Sequence, residues 1–534
     1  MLESINKFLN RKSLKYIRQE WGEENNKKRD FKNIRVLFDY LKEEEEDKEG
    51  KTFYIDDQTW EDLNMNEVYS KLDRTFSFCG KQALYNILRR PFLKEKALKE
   101  RDSIIDSFKD NQEAREKLLL ELSKLDVRDT GAVELFFNKL EGNRILKIVC
   151  NILALIPIVL GVLIYIYGIK SKFTMYLLMS TFLNGIIHYK AEGKLNYKIT
   201  AMSTLGRMIK VGKNISKLNV DEICSYKSKL EEKCNKTMKI FKNTYSLIQI
   251  KGLDEVMEYF NLVFLVRERD YLSTVDEINK YQKELKEIYK ILGELDAIIS
   301  IASFRKQYGE RYTKPILKEE GKVLKTKNIA HPIIENPVPN SIEMINKGII
   351  LTGSNMSGKS TFLRTLGVNA LLAQTIYMCN AESYEGSYFK IITSISPEDN
   401  LASGKSYYFG EVEALLRIIN SDEEKVPTLS LIDEIFRGTN PVERVSAAKE
   451  ILKYFSSHNT LVAVATHDLE LPKLLKDRYN SYYFREEVEG NELKFDYLIK
   501  EGISPTKNAI RILRMVGYPQ EIVDNAEAYI SICE

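Results

Sequence analysis

One stretch decides the fold of the second half of the chain: Gly353-Ser354-Asn355-Met356-Ser357-Gly358-Lys359-Ser360-Thr361. It fits the pattern G-x-x-x-x-G-K-[ST], whose glycines let the backbone curl around phosphate oxygens. The apolar run Gly348–Thr352 before it predicts a buried strand, and Phe362–Leu366 after it predicts the start of a helix. Amides at a helix start favour an anion. This context predicts a nucleotide-binding loop, whereas a chance match would lie in a surface turn.

Two further apolar runs end in polar side chains. The predicted strand Thr428–Glu434 ends in two acids, and the predicted strand Thr460–Ala465 leads into a histidine. Because the carboxyl ends of parallel strands meet at one edge of a sheet, these groups should lie beside the nucleotide loop. Hydrolysis of a nucleotide needs one carboxylate for Mg²⁺ and a neighbour that polarises the attacking water.

These patterns assign a role to each residue. The predicted magnesium ligands are the Ser360 hydroxyl and Asp433. The predicted catalytic residues are Lys359, which neutralises the β and γ phosphates, Glu434, which polarises water, and His467, a candidate γ-phosphate sensor. The whole stretch from Gly353 to Thr361 is predicted to bind ATP. The expected reaction is the Mg²⁺-dependent conversion of ATP and water to ADP and phosphate.

Four segments together resemble the ATPase domain of MutS-type proteins, which are relatives of ABC ATPases. They are GSNMSGKST, DNLASGKSYYFGEVE (Asp399–Glu413), LIDEIFRGTNP (Leu431–Pro441) and ATHDLEL (Ala465–Leu471). The resemblance places Ser406 on the family's signature serine, which implies that it reaches ATP held by the other subunit of a dimer. It also places Arg437-Gly438-Thr439-Asn440 at the subunit interface. The chain departs from the family pattern at Tyr407-Tyr408, where T-F is usual, and at Phe436, where Gly is usual.

The resemblance extends beyond the ATPase, from roughly Ile55 to Ile530. Ile55–Leu63, Leu72–Thr75 and Leu84–Phe92 are similar to the start of the family's helical core domain. Pro337 stands where the family often stacks adenine on an aromatic side chain. The stretch before the core is about fifty residues, too short by expectation for the mismatch-reading and connector domains of a repair MutS. Leu195–Phe304 shows no alternating pattern, so the family's β-rich DNA clamp is expected to be missing or reduced.

An uncharged insert interrupts the predicted helical core. Ile148–Ile169 and Phe173–Tyr189 contain no charged residue and are separated by Lys170-Ser171-Lys172. A bilayer core about 30 Å thick takes about 20 apolar residues per helix. The insert therefore predicts a transmembrane hairpin. The alternative is a buried helix pair in the core bundle, which Pro157, Asn184 and His188 favour. Domains that need cytosolic ATP flank the hairpin, so both soluble portions are expected on the cytoplasmic face of the cell membrane.

Composition narrows the remaining classes of function. The chain has 534 residues, six scattered cysteines and four histidines, which supports neither a zinc site nor a disulfide framework. From Gly348 onward 19 basic residues stand against 26 acidic residues, whereas before it 61 stand against 51. The basic first part suits nucleic acid or an anionic membrane leaflet, or an ordinary solvated helical surface.

The predicted fold class is α/β plus all-α: a helical MutS-type core and lever domain with a transmembrane hairpin, followed by an ABC-like P-loop ATPase domain. The predicted boundaries are 1–50 for a charged helical arm, 51–144 and 191–325 for the core and lever, 145–190 for the hairpin and 326–534 for the ATPase. The resemblance implies a homodimeric, membrane-tethered, DNA-associated ATPase with no other small-molecule substrate. The alternative function is a membrane scaffold or remodelling ATPase that no longer binds DNA.

Overall fold

The computed structural model combines helices with two β-sheets, so the predicted mixture of a helical part and an α/β part is confirmed. Asn355, Ser406 and residues 437–439 lie outside the described residues. The structure describes residues 13–24, 28–46, 52–125, 132–142, 144–245, 254–354, 356–395, 407–421, 425–436, 440–489, 492–504, 513–514 and 516–533.

Tertiary contacts divide the chain into two compact units. The first comprises residues 1–49, 73–86 and 104–306, and the second comprises residues 50–72, 87–103 and 307–534. Residues 13–20 are helical. The other α-helices described before the first strand are α1 (Phe31–Ile34), α2 (Val36–Glu46), α3 (Asp57–Asp62), α4 (Met65–Leu72), α5 (Phe78–Arg89), α6 (Glu95–Asp110), α7 (Gln112–Leu122), α8 (Ala132–Phe137), α9 (Arg144–Tyr167), α10 (Lys172–Ser216), α11 (Cys224–Tyr245), α12 (Asp254–Phe264), α13 (Val266–Lys280) and α14 (Gln282–Tyr308).

The uncharged insert folds into the hairpin formed by α9 and α10. Helix α9 ends where Gly168 takes a φ of 82°, a conformation that glycine adopts without strain. Helix α10 continues well beyond the predicted end at Tyr189 and packs along α11. The two helices approach so closely that a Cβ on Gly206 would lie 2.2 Å from Thr244 Oγ1. Among the described residues one helix, α9, is long and apolar enough to cross a membrane by length and composition.

Apolar residues recur every three or four positions from Val275 to Ile298, which predicts a helical seam, and this seam occupies two consecutive helices, α13 and α14. They meet at Tyr281, which is partly buried. The other seam residues are fully buried: Val275, Ile278, Leu285, Ile288, Leu292, Leu295 and Ile298. Within the described ranges 191–245 and 254–308 the chain forms helices and turns and no strand.

A buried carboxylate connects α14 to the segment before α5. Asp296 accepts hydrogen bonds from the backbone amides of Phe76, at 3.1 Å, and Ser77, at 2.7 Å. Burial raises the pKa of Asp296 to about 7, and the hydrogen bonds from Ser77 and Phe76 oppose this rise. One turn further along α14, Ser300 Oγ accepts from the amide of Arg74 at 2.7 Å. These bonds satisfy backbone amides in the segment that leads into α5.

The second unit contains two sheets. A four-stranded sheet has the order β1-β5-β2-β3, and a six-stranded sheet has the order β10-β9-β4-β8-β7-β6, in which only β10 runs antiparallel to its neighbour. The strands and helices of this part are β1 (Ile316–Lys318), β2 (Val323–Ile329), β3 (Asn340–Ile345), β4 (Gly348–Thr352), α15 (Lys359–Ile376), β5 (Ser383–Ser387), β6 (Lys390–Ser394), α16 (Tyr407–Asn420), β7 (Thr428–Asp433), α17 (Pro441–Ser457), β8 (Thr460–Ala465), α18 (Glu470–Leu474), β9 (Tyr479–Glu489), β10 (Glu492–Glu501) and α19 (Gln520–Cys533).

The predicted strands β4, β7 and β8 are confirmed, and every residue in them is buried. Their continuous apolar character is typical of parallel strands that are covered on both faces. In the sheet register Ala465 pairs with Leu351 on one side and with Asp433 on the other. The polar residues that follow these strands therefore emerge at the same edge of the sheet.

The segment that resembles the opening of the helical core packs on this sheet. Asp62 Oδ2 accepts from Thr393 Oγ1 at 2.6 Å and from the amide of Ile395 at 2.9 Å. Arg364, in the first turns of α15, donates to the backbone oxygen of Asp62 at 2.7 Å. A Cβ on Gly367 would lie 2.5 Å from Leu63. Helix α3 thus belongs to the same compact unit as the nucleotide loop, whereas the boundaries derived from sequence place it in the core.

Candidate nucleotide site

Two glycines shape the loop between β4 and α15. Gly353 has a φ of 144° and Gly358 a φ of 104°, which both lie in the region that disfavours other residues. A Cβ on Gly353 would lie 2.7 Å from the backbone oxygen of Phe484, and a Cβ on Gly358 would lie 3.2 Å from the ring of Tyr497. The backbone therefore curls closely against β9 and β10, which only glycine allows at both positions.

Lys359 begins α15 and is 5% exposed. Its Nζ donates to the backbone oxygens of Gly353 and Ser354, each at 2.8 Å. The loop thus curls around the ammonium group of Lys359 and holds it by these two hydrogen bonds. A positive charge in this position, next to the N-terminus of α15, suits the phosphates of a nucleotide.

Ser360 and Asp433 come together across the edge of the sheet. The Ser360 hydroxyl donates to Asp433 Oδ2, and the Asp433 residue is 7% exposed. A hydroxyl and a carboxylate are the hard oxygen ligands that Mg²⁺ prefers, and this ion usually takes its other ligands from water and from substrate phosphates. The two residues therefore fit the predicted magnesium site. No cluster of three or more His, Cys, Asp or Glu that could bind a metal occurs among the described residues.

Glu434 and His467 form a pair next to this site. Glu434 Oε1 lies 2.9 Å from His467 Nε2, and both side chains are partly exposed, by 20% and 39%. Glu434 has a φ of 67°, and its amide donates to the backbone oxygen of Ala465 at 2.9 Å. The strained backbone turns the carboxylate away from β7 toward the strand that ends in His467. The structure thus brings together the two residues that the sequence assigns to water activation and γ-phosphate sensing.

These groups line one cavity of about 650 Å³. Gly353 and Ser357 belong to the loop but do not line the cavity. Ser357 Oγ donates to the backbone oxygen of Ser354 at 2.9 Å, which stabilises the loop. The predicted residues that line the cavity are Ser354, Met356, Gly358, Lys359, Ser360, Thr361, Asp433, Glu434 and His467. A cavity of this size accommodates a nucleotide.

The cavity has aromatic walls that the sequence patterns do not reveal. Phe484 on β9 and Tyr497 on β10 both line it, as does Pro337, which stands where the family often has an aromatic residue. Tyr497 has a φ of 53° at an irregularity in the pairing of β10 with β9. His331 also lines the cavity, and burial lowers the pKa of its imidazole to about 4, so the ring is neutral at physiological pH.

An ion pair stabilises the segment that carries His467. Arg444 on α17 makes two hydrogen bonds to Asp468, from Nε at 2.9 Å and from Nη2 at 2.6 Å. The Asp468 amide donates to Thr466 Oγ1 at 3.1 Å, and the Thr466 amide donates to the backbone oxygen of Leu351. A two-point Arg–carboxylate contact has a well-defined geometry. His467 is therefore flanked on both sides by residues with fixed positions.

Comparison with known proteins agrees with this geometry. A family model described as MutS domain V matches residues 349–534, which contain the loop, Asp433, Glu434 and His467. The chain belongs to the MutS family. It is 31% identical over 294 residues to the DNA mismatch repair protein MutS of Thermus thermophilus, a match that covers 54% of this chain and 35% of the relative.

Two further relatives come from other organisms. The DNA mismatch repair protein MutS of Methanosarcina mazei is 31% identical over 271 residues, which cover 48% of this chain and 29% of the relative. The DNA mismatch repair protein MSH3 of Candida glabrata is 29% identical over 294 residues, which cover 52% of this chain and 28% of the relative. This MutS-family chain thus spans about a third of the length of the curated relatives that it matches.

Proposed function

We propose that this MutS-family protein hydrolyses ATP in a magnesium-dependent reaction. The observation that carries the proposal is the convergence of Lys359, Ser360, Asp433, Glu434 and His467 on one cavity at the edge of the parallel sheet. Each residue has the chemistry that phosphoryl transfer requires, since this reaction depends on positioning and on stabilisation of charge. Magnesium, when bound, would neutralise phosphate charge and orient the β and γ oxygens.

The residues of the chain divide the remaining work. Backbone amides of the loop and Lys359 hold the phosphates, while Ser360 and Asp433 supply oxygen ligands to the metal. Glu434 orients the attacking water and accepts its proton. His467, at 2.9 Å from Glu434, is placed to link the carboxylate to the γ-phosphate. In this proposal, the pair responds to the presence of the terminal phosphate.

Tyr497 is proposed to stack on the base of the nucleotide. Its ring lies against Gly358 and lines the same cavity. Because base–aromatic stacking contributes about 1–3 kcal/mol, Tyr497→Ala should weaken ATP binding by about tenfold, and Tyr497→Phe should retain it. Titration with a fluorescent ATP analogue measures both variants. Equal affinity of Tyr497→Ala and wild type would show that the base binds elsewhere.

A homodimer with composite active sites is proposed from the resemblance of the segment around Ser406 to the family signature. The test is to mix Lys359→Ala subunits with Ser406→Ala subunits. One of the two sites in such a mixed dimer retains both residues, so we expect partial recovery of ATP hydrolysis. The control is each variant alone, which should be inactive. If co-purification shows that the subunits associate and activity does not recover, the site is complete within one chain.

Association with DNA is proposed because the relatives are named DNA mismatch repair proteins. The alternative is a scaffold or remodelling ATPase without DNA. The helical character of the described residues 191–245 and 254–308 favours this alternative, because a β-rich clamp is not among them. Stimulation of hydrolysis distinguishes the two: duplex DNA should accelerate turnover in the first case, and anionic liposomes should do so in the second.

Attachment to the cell membrane through the hairpin is also proposed, with both soluble portions on the cytoplasmic face. The structure describes residues 158–183 completely and buries none of them. Large apolar side chains there are widely exposed, for example Phe182 at 73%, Leu178 at 67% and Ile166 at 63%. Soluble proteins rarely expose a continuous apolar surface of this kind. Lipid is the solvent that such a surface prefers.

A further inference from the structure

A bulge in β10 lies beside the nucleotide cavity. The partners of Phe495 and Ile499 on β9 are two positions apart, so the three residues between them on β10 stand opposite a single residue of β9. Tyr497 is the middle residue of these three, and its φ is 53°. Bulges change the direction of a side chain, and they leave backbone groups without partners on the neighbouring strand. A left-handed conformation of tyrosine persists only where the surrounding structure holds it.

Two polar side chains hold the backbone of this bulge. Asn340, the first residue of β3, donates from Nδ2 to the backbone oxygen of Tyr497 at 2.9 Å. Its Oδ1 accepts from the amide of Ile499 at 2.8 Å. Within the bulge, Asp496 Oδ1 accepts from the amide of Leu498 at 3.0 Å. Backbone groups of the bulge thus have partners that the pairing with β9 does not supply.

The side chain of Asn340 is fully used by the protein backbone. Asn340 lines the cavity and is 8% exposed. Its Nδ2 also donates to the backbone oxygen of Val338 at 3.3 Å, so both N–H groups and the amide oxygen have partners. β3 belongs to the four-stranded sheet and β10 to the six-stranded sheet. Asn340 therefore joins the two sheets at the wall of the cavity, and its chemistry is that of a support for β10.

The bulge determines where the ring of Tyr497 lies. The ring is close to Gly358 of the nucleotide loop, and it stacks on the ring of Phe495 with centroids 5.8 Å apart and planes at 25°. The Tyr497 residue lines the cavity and remains 44% exposed. Part of its aromatic surface is thus open to a planar group in the cavity, as stacking on a nucleotide base requires.

We propose that Asn340 is a positioning residue for recognition of the nucleotide base, because it holds the bulge of β10 in the conformation that presents Tyr497 to the cavity. This inference rests on the proposed stacking of Tyr497 and adds the residue on which the stacking depends. Without the Asn340 side chain, the oxygen of Tyr497 and the amide of Ile499 lose these partners, and the strained φ of Tyr497 loses its support. The nucleotide loop keeps its own hydrogen bonds, which Ser357 and Lys359 donate.

The test compares ATP with inorganic tripolyphosphate, which has the phosphates and no base, by calorimetric titration in the presence of Mg²⁺. Asn340→Ala should weaken ATP binding severalfold, up to the loss of about tenfold expected for Tyr497→Ala. Affinity for tripolyphosphate should stay close to wild type. Because Asn340 acts through Tyr497, the double variant should bind ATP no more weakly than Tyr497→Ala alone.

Ser341→Ala is the matched control. Ser341 follows Asn340 on β3 and is exposed, and its Oγ accepts from the amide of Asn328 on β2 at 3.0 Å. The control thus removes a hydrogen bond of β3 and leaves those to β10 in place, so ATP affinity should not change. Asp496→Ala is a second route to the same bulge, for use if Asn340→Ala does not fold. It should also weaken ATP selectively, and Asp496→Asn, which keeps an oxygen for the amide of Leu498, should restore binding.

The outcomes separate this inference from the proposed stacking. If Tyr497→Ala weakens ATP binding and neither Asn340→Ala nor Asp496→Ala does, the positioning role is wrong and the stacking stands. If Tyr497→Ala has no effect, the stacking is wrong and the inference falls with it. Additive losses in the double variant would show that Asn340 acts on ATP independently of Tyr497. An equal loss of tripolyphosphate affinity would show that Asn340 supports the cavity as a whole, which also contradicts the inference.

Discussion

Replacing Glu434 by glutamine should slow ATP hydrolysis by at least about a hundredfold while leaving ATP binding intact. The amide keeps the size of the side chain and can still contact His467, but it cannot accept the proton of the attacking water. Lys359 donates to backbone oxygens of the loop and Ser360 donates to Asp433, so these residues should still hold the phosphates and the metal. Single-turnover hydrolysis and equilibrium binding of ATP measure the two effects separately.

Glu450→Gln is the matched control for this substitution. Glu450 is an exposed carboxylate on α17 that pairs with Lys453 at 2.8 Å. Its replacement removes one negative charge from the same unit, away from the cavity, so turnover should remain close to wild type. If Glu434→Gln also kept normal turnover, Glu434 would not be the residue that activates water, and the assignment of the catalytic edge would be wrong.

The candidate nucleotide site at the edge of the parallel sheet could be predicted from sequence because its determinants are local. Each of β4, β7 and β8 is a continuous apolar run, and each leads directly into the residue that carries chemistry. Once these strands are parallel neighbours, their polar ends must meet. Phe436 stands where the family usually has Gly, and its backbone takes a φ of 61°. The departure from the family pattern therefore falls on a position that favours glycine.

Other parts of the site depend on contacts between residues that are far apart in the chain. The pair of Arg444 with Asp468 joins the start of α17 to the end of β8, and no local pattern indicates it. Tyr497 reaches the nucleotide loop because β10 folds back on β9 with a shift in register. Asp62, at the end of α3, accepts a hydrogen bond from Thr393 on β6, which lies more than three hundred positions away in the chain. Sequence periodicity contains no information about such pairings.

The hairpin shows a third limit on what can be predicted from the sequence. Absence of charge predicts that Ile148–Ile169 and Phe173–Tyr189 prefer an apolar environment, and it does not specify whether protein or lipid provides it. The structure shows which of these residues the protein itself buries. Cys150, Ala154, Pro157, Asn184 and His188 are buried at the base, whereas residues 158–183 are not. The base of the hairpin thus packs against protein on one face, and the proposed membrane attachment concerns the apolar surface that is left exposed.

A deletion restricted to residues 158–183, none of which the structure buries, tests the proposed membrane attachment. Replacing residues 158–183 with a short glycine-rich linker retains the buried base, including the contacts of Asn184 and His188. A second variant keeps the full length and places glutamates at exposed positions on the two helices, Val159, Val162 and Phe182. Because these side chains contact solvent in the structure, the substitutions should leave the fold of the soluble portions unchanged.

Both variants should move from the membrane pellet to the soluble fraction, whereas wild-type protein should remain in the membrane after an alkaline carbonate wash. Transfer of the apolar side chains of residues 158–183 from water to hydrocarbon lowers the free energy. The backbone of a helical hairpin satisfies its own hydrogen bonds in hydrocarbon. Burying a glutamate in the same place is costly, so the full-length variant separates loss of apolar character from loss of length. ATP binding should be unchanged in both variants, since the nucleotide loop belongs to the other compact unit. Wild-type protein that washes off with carbonate would show that the hairpin is not integral to the membrane, and another protein would then have to cover its apolar surface.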